Sequence, residues 1–223
     1  MVNYWLIIHD LDSYQQEPTK IGRSKKSIVS DKIFRTIKRD DRIIYYIKGK
    51  KAIGIFKVAS EGHDSENGCW GKKAGYYFVF DIQPIYVNPI GMPTTIETPK
   101  HGIMTLHGRS AVSLSKTQFG NIKSEILGMS DPKNESGVVT LFSKIHQFLG
   151  FPFVKTMQSQ FPDCTVIDDA GKQTRIEFEN LSDDFVNHKH PVKKCDLIVC
   201  WKDTLGNISP VKVLELSDVI YGH

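Results

Sequence analysis

The sequence predicts a two-domain protein of the α+β or α/β type, a small β-rich barrel followed by a mixed sheet flanked by helices. Three observations predict it. Short runs of β-branched and aromatic residues, bounded by Gly, Pro, Asp and Asn, fill the first half of the chain. Val138, Val139, Leu141, Phe142, Ile145, Phe148 and Leu149 then recur at helical spacing and give way to further strand-like runs. The chain has 223 residues, room for two domains of roughly 100 to 130 residues each.

In the first domain, residues 1–108, strands are expected at Tyr4–His9, Arg42–Ile47, Ala52–Ser60, Tyr76–Pro84 and Ile103–Leu106, with a helical turn at Ser30–Thr36. Lys48-Gly49-Lys50 makes a tight turn that joins the second and third into a hairpin. Residues 109–130, with few large apolar side chains, read as a connector with a weak helical period over Lys116–Leu127. The second domain is 131–223. Its helix stops at Gly150, and Asp168-Asp169-Ala170-Gly171 turns Cys164–Ile167 back onto Gln173–Glu179. An apolar strand at Leu197–Val199 and a last one at Val211–Leu216 follow.

No apolar run approaches the roughly 18 residues of a membrane span. The N-terminus lacks the basic flank of a signal peptide. The expectation is a cytoplasmic protein with no membrane partner. Cys69, Cys164, Cys195 and Cys200 contain no C-x-x-C pair and read as reduced, mostly buried thiols. Cys195 and Cys200, five apart on one expected strand, should point to opposite faces.

Net charge is only +4, but it is unevenly spread. Lys20–Arg39 holds eight basic residues and one acid, Asp31. A basic face of this kind attracts phosphate backbone, and Lys20, Arg23, Lys25, Lys26, Lys48 and Lys50 are the candidate contacts. Phe161–Phe185 reverses the balance, with seven acids against Lys172 and Arg175. A compact acidic cluster calls for a cation. Glu177 and Glu179, two apart on a strand, project from one face while Ile176 and Phe178 project from the other. Through the Asp168–Gly171 turn, Asp163 comes beside Glu177 or Glu179. Three carboxylates on one sheet edge are a means of holding a divalent ion for phosphodiester hydrolysis. His188 and His190 are candidate general bases or ligands, with a solvated surface loop as the plain alternative.

Pro162-Asp163 followed by Glu177-x-Glu179 resembles the PD-(D/E)xK nuclease superfamily, and Asn134-Glu135 before Val138-Val139-x-Leu141-Phe142 resembles its first core helix. The resemblance covers about 90 residues. It implies Mg²⁺ or Mn²⁺ held by Glu135, Asp163 and Glu177, and a catalytic set of Asp163, Glu177, Glu179, His188 and His190. The chain departs from the pattern at Glu179, where lysine is usual. His188, Lys189 or His190 could take over the lysine's role.

Tyr4-Trp5-Leu6-Ile7, Asp40-Asp41-Arg42-Ile43-Ile44-Tyr45-Tyr46-Ile47-Lys48-Gly49 and Gly54-Ile55-Phe56-Lys57-Val58 resemble the EVE domain, a PUA-like fold related to YTH readers of methylated RNA. That resemblance, over roughly 85 residues, implies an aromatic pocket for an extruded modified base, with Trp5, Tyr45, Tyr46 and Trp70 as candidates. Packing within the barrel is the plain alternative for Trp5 and one tyrosine. Stacking on aromatic rings offsets part of the energy lost when a base leaves its stack.

Together these readings lead us to expect a modification-dependent DNA endonuclease that acts on double-stranded DNA, as a homodimer where both strands are cut. The alternatives are a non-catalytic nucleic-acid-binding protein with a degenerate nuclease fold and an RNA-directed reader or nuclease.

Overall fold

The computed structural model of the protein describes residues 1–24, 32–49, 51–65, 77–89, 92–104, 106 and 109–222. The chain divides into two compact units, Met1–Met129, which takes in Gly222, and Ser130–Tyr221. Each carries its own sheet, so the architecture is α+β.

The first unit contains β1 (Tyr4–His9), α1 (Leu11–Gln16), β2 (Lys20–Ser24), β3 (Arg42–Ile47), β4 (Lys51–Val58), β5 (His63–Ser65), β6 (Tyr77–Val87), β7 (Thr94–Thr95), β8 (Ala111–Leu114) and α2 (Lys116–Leu127). The sheet order is β2-β6-β4-β3-β1-β8, with β5 on β6 and β7 on β4. All six residues of β3 are buried, because β1 flanks it in parallel, β4 flanks it antiparallel and apolar side chains cover both faces. The sheet curls into a half-barrel. The register shifts opposite Tyr45 and Tyr46 of β3, where Ile53 is the extra residue on β4, and opposite Ile55 and Phe56 of β4, where Ile85 is the extra residue on β6, and bulges increase local twist and bend a strand. The long β6 continues the curl, pairing with β2 and β5 through its first half and with β4 through its second. A Cβ on Gly54 would lie 2.2 Å from the Tyr86 carbonyl oxygen, so this crossing requires glycine.

Asp41, 1% exposed, ties the start of β1 to the start of β3. Its carboxylate accepts from Trp5 Nε1 at 2.7 Å, from the Asn3 backbone at 2.9 Å and from the Lys38 backbone at 3.0 Å. Leaving a buried donor unsatisfied costs about 1–3 kcal/mol. Asp41→Ala is therefore expected to destabilise this unit by at least about 2 kcal/mol, read as a lowered urea midpoint.

The second unit contains α3 (Glu135–Ile145), β9 (Phe153–Met157), β10 (Cys164–Ile167), β11 (Gln173–Leu181), α4 (Asp184–Asn187), β12 (Leu197–Lys202), β13 (Lys212–Glu215) and α5 (Leu216–Tyr221). Asn134 caps α3 by accepting from the Gly137 N–H at 3.0 Å. The mixed sheet runs β13-β12-β11-β10-β9; the β9–β10–β11 pairings are antiparallel, and β11, β12 and β13 are parallel. Ile176 and Phe178 are fully buried on the α3 side, where Phe178 meets Phe142 edge-on at 5.1 Å.

Four expectations are corrected. Residues 109–130 are not a separate connector: β8 pairs antiparallel with β1, and α2, closed by a Ser115–Gln118 capping box, packs on the same sheet. No strand forms among the described residues of 103–106. β9 was not foreseen, because all five of its residues are exposed and show no alternation. Cys195 precedes β12 and joins Cys200 in one buried cluster with Phe185, Ile198 and Val211, so the two do not oppose one another. Among the described residues no helix is long and apolar enough to cross a membrane.

Candidate metal centre

The hairpin of β10 and β11 sets the site. Asp168 accepts from the Ala170 and Lys172 N–H groups and closes the turn, with Gly171 at φ 79°. Cys164 pairs with Ile176, so Asp163, one residue earlier, comes opposite Glu177. The two residues are cross-linked. The Asp163 N–H donates to Glu177 Oε2 at 3.1 Å, and the Phe178 N–H donates to Asp163 Oδ2 at 2.9 Å.

Glu177 and Glu179 share a face with Ile198 and Cys200, their partners on β12. They are 5% and 2% exposed. Two carboxylates are thus set against apolar side chains. Burial, the negative charge of Asp163 and the smaller effects of Glu179 and Glu135 push Glu177 up from 4.5 to about 7. Burial also pushes Glu179 up, opposed by its hydrogen bond and ion pair with His188. Asp163 and Glu135 are raised by burial too, and Asp163 adds to the shift at Glu135. Glu135 opens α3, where its charge acts on Glu177 and Glu179. Among the described residues no lysine or arginine pairs with Glu177 or Glu179.

The histidines reach the acids by a turn, not by the extended segment that would put alternate side chains on one face. His188 ends α4 and donates its backbone N–H to Asp184 O at 2.8 Å. Lys189 then adopts φ 56°, a left-handed conformation uncommon for a residue with a side chain. This reversal brings His188 Nδ1 to 3.2 Å from Glu179 Oε1, and His190 Nε2 to 3.1 Å from Glu177 Oε1 and 3.8 Å from Glu179 Oε1. Phe161 stacks on the His190 ring at 4.4 Å and 10°. Burial, then the neighbouring His188, depress the His190 pKa. Sequence reasoning missed Phe161, whose contact is with a residue far along the chain. It also missed Asp184, although that acid stood in the cluster: its carboxylate accepts from the Leu181 N–H at 3.2 Å, and its charge acts on Glu135 and Glu179.

A stability slope follows. Between pH 4.5 and about 7 the folded chain keeps a proton on Glu177 that the unfolded chain has released. The contribution of Glu177 is therefore most favourable below about pH 4.5 and is lost as pH rises towards 7. In EDTA, the difference in Tm between the natural chain and Glu177→Gln is expected to shift against the natural chain over that range. A flat difference would show that Glu177 titrates normally.

In the first unit, Trp5, Tyr45 and Tyr46 are 5%, 0% and 3% exposed. As described, they pack the interior and present no open face for a base, because the same aromatic surface that suits a pocket also suits a core. Trp70 lies outside the described residues, as do Lys25, Lys26 and Lys50. Lys20 lies on β2 and pairs with Glu17 at 3.6 Å. Arg23, half-buried on the same strand, and exposed Lys48 both act on the buried ring of His9 and hold its pKa down to about 4, with desolvation the larger cause. A cavity of about 350 Å³ lies between α1 and the start of the segment after β6, with Tyr14, Leu11, Ile53 and Val87 among its lining residues.

No protein-family model and no curated protein matches the sequence. The N-terminal part is similar to several solved structures. Protein Atu2648 from Agrobacterium tumefaciens is 16% identical over 59% of this chain and 97% of its own, with a TM-score of 0.40. The YTH domain of Zygosaccharomyces rouxii MRB1, in complex with N6-methyladenosine RNA, is 10% identical over 54% and 84%, with a TM-score of 0.39. The N-terminal domain of Staphylothermus marinus McrB is 14% identical over 56% and 93%, with a TM-score of 0.36.

Proposed function

We propose that the protein is a metal-dependent endonuclease acting on modified double-stranded DNA, in which the second unit cuts and the first recognises the modified base. The observation that carries the catalytic half is the convergence of Asp163, Glu177, Glu179 and Glu135 with two histidines around β11, the central strand of the second sheet. Buried carboxylates that raise one another's pKa, with no lysine or arginine paired to Glu177 or Glu179 among the described residues, suit a divalent cation.

Asp163, Glu177 and Glu135 would hold Mg²⁺ or Mn²⁺ through oxygen. When bound, such an ion lowers the pKa of a coordinated water and offsets charge building on the phosphate. The chain's own part is positional. The cross-linking hydrogen bonds hold Asp163 and Glu177 in register, and the apolar cluster below them limits water. The His190 ring is fixed by Phe161, and burial and His188 lower its pKa, which favours the uncharged ring. Glu179 stands where the resemblance has lysine, and its contact with His188 at 3.2 Å is what favours the second reading, a nucleic-acid-binding protein that does not cut.

The reader half rests on the sequence resemblance of the first unit, with Trp70 the remaining aromatic candidate for the pocket. RNA is the alternative nucleic acid. Cutting both strands requires two such centres, hence a homodimer. The test incubates the full chain with matched duplexes carrying cytosine, 5-methylcytosine, 5-hydroxymethylcytosine or glucosylated cytosine, and with matched RNA, in Mg²⁺, Mn²⁺ or EDTA. Cleavage of one modified duplex, abolished by EDTA, is the expected result. Binding without cleavage under every metal would leave the non-catalytic reading, and cleavage of RNA alone would move the substrate.

A further inference from the structure

Glu179, His188 and His190 form a donor set unlike a purely acidic magnesium site. Their ligand atoms all lie within 4.8 Å of one another. Two of the separations are 3.2 Å, from His188 Nδ1 to Glu179 Oε1, and 3.8 Å, from His190 Nε2 to the same oxygen. A four-coordinate ion with bonds of about 2.0–2.2 Å places its ligands roughly 3.3–3.6 Å apart. These two separations lie close to that spacing, so the three donors are near enough together to share such an ion. Glu177 Oε1, 3.1 Å from His190 Nε2, offers a further oxygen.

Two features argue that the arrangement is built. Lys189 adopts a left-handed backbone between the histidines, the kind of local strain that persists where the surroundings enforce it and that clusters at functional sites. Phe161 stacks on His190 and Phe185 packs beside it at 5.5 Å, so the ring that carries one donor is held in place, as outer groups orient metal-ligating histidines. His188 is 54% exposed and leaves the site open to solvent and substrate.

We propose that Glu179, His188 and His190 bind a first-row transition ion of the Co²⁺ and Zn²⁺ type, and that this ion, rather than Mg²⁺, is the one the centre selects. Imidazole nitrogen suits such ions, whereas Mg²⁺ takes oxygen ligands and keeps its waters. This rests on the metal-centre reading above and assigns the two histidines to the ion instead of to proton transfer.

The test titrates metal-free full-length protein with Co²⁺, Zn²⁺ and Mg²⁺ by calorimetry, and follows Co²⁺ by its visible absorption. One Co²⁺ per chain is expected, bound at least roughly 10-fold more tightly than Mg²⁺, with the absorption of a nitrogen-coordinated ion. The double variant His188→Asn, His190→Asn should lose that absorption and bind Co²⁺ at least about 10-fold more weakly, while Mg²⁺ binding changes little. Because the variant could misfold, ¹⁵N NMR of the natural chain supplies a second readout: Zn²⁺ should shift the ring nitrogens of His188 and His190. Equal affinity for Mg²⁺ and Co²⁺, or unshifted ring nitrogens, would overturn the inference while leaving a magnesium nuclease intact. Selective Co²⁺ binding with no cleavage would support the inference and overturn the proposed activity.

Discussion

Glu177→Gln is expected to reduce metal-dependent cleavage more than the roughly 10–100-fold typical of changes outside the metal's own ligands. The substitution keeps the size of the side chain and removes its charge. An amide oxygen can still accept from the Asp163 N–H, so the β10–β11 register survives. It also relieves the buried charge that burial and Asp163 make unfavourable, so the variant should be at least as stable as the natural chain at neutral pH. A more stable protein that binds nucleic acid and does not cut would separate a functional carboxylate from a structural one. Unchanged cleavage would remove Glu177 from the mechanism. Loss of activity together with loss of stability would mean that the carboxylate holds the hairpin.

Phe178→Ala carries the largest expected effect on stability. Phe178, between the two acids in sequence, is fully buried on the opposite face of β11, packed against Phe142 of α3. Truncation of a buried phenylalanine costs about 3–5 kcal/mol, a large part of the 5–15 kcal/mol that holds a typical domain together. The variant should show a much lower urea midpoint, followed by circular dichroism. Its active fraction should fall with the folded fraction and not ahead of it, because the Phe178 N–H to Asp163 is a backbone group that alanine retains. A midpoint near that of the natural chain would show that α3 does not anchor the sheet through this residue.

The acidic half of the site was legible in the sequence because strand geometry is local. Alternation in Glu177-Phe178-Glu179 places the acids on one face, and the Asp168–Gly171 turn determines which residue Asp163 meets. The histidines were not legible as a pair on the acids. Their convergence depends on a left-handed φ at Lys189, which nothing about lysine announces. The stack of Phe161 on His190 is a tertiary contact without a local signal. In the first unit, the apolar runs of β1 and β3 announced buried strands, but the β1–β8 pairing, Tyr4 with Leu114, joins the two ends of the unit and leaves no periodic trace. Trp5 and Tyr45, pocket candidates with core packing as the alternative, lie in the core cluster; hydrophobicity alone does not distinguish an aromatic that fills a core from one that lines a pocket.

The most direct measurement is calorimetric titration of Mn²⁺ into the metal-free full chain near neutral pH, with the natural sequence and Glu177→Gln side by side. Saturable binding by the natural chain, releasing protons as the raised carboxyls ionise and weakened at least about 10-fold in the variant, is the predicted result. Absence of saturable binding by the natural chain would contradict the account and leave the buried acids and histidines as a closed ion-pair network.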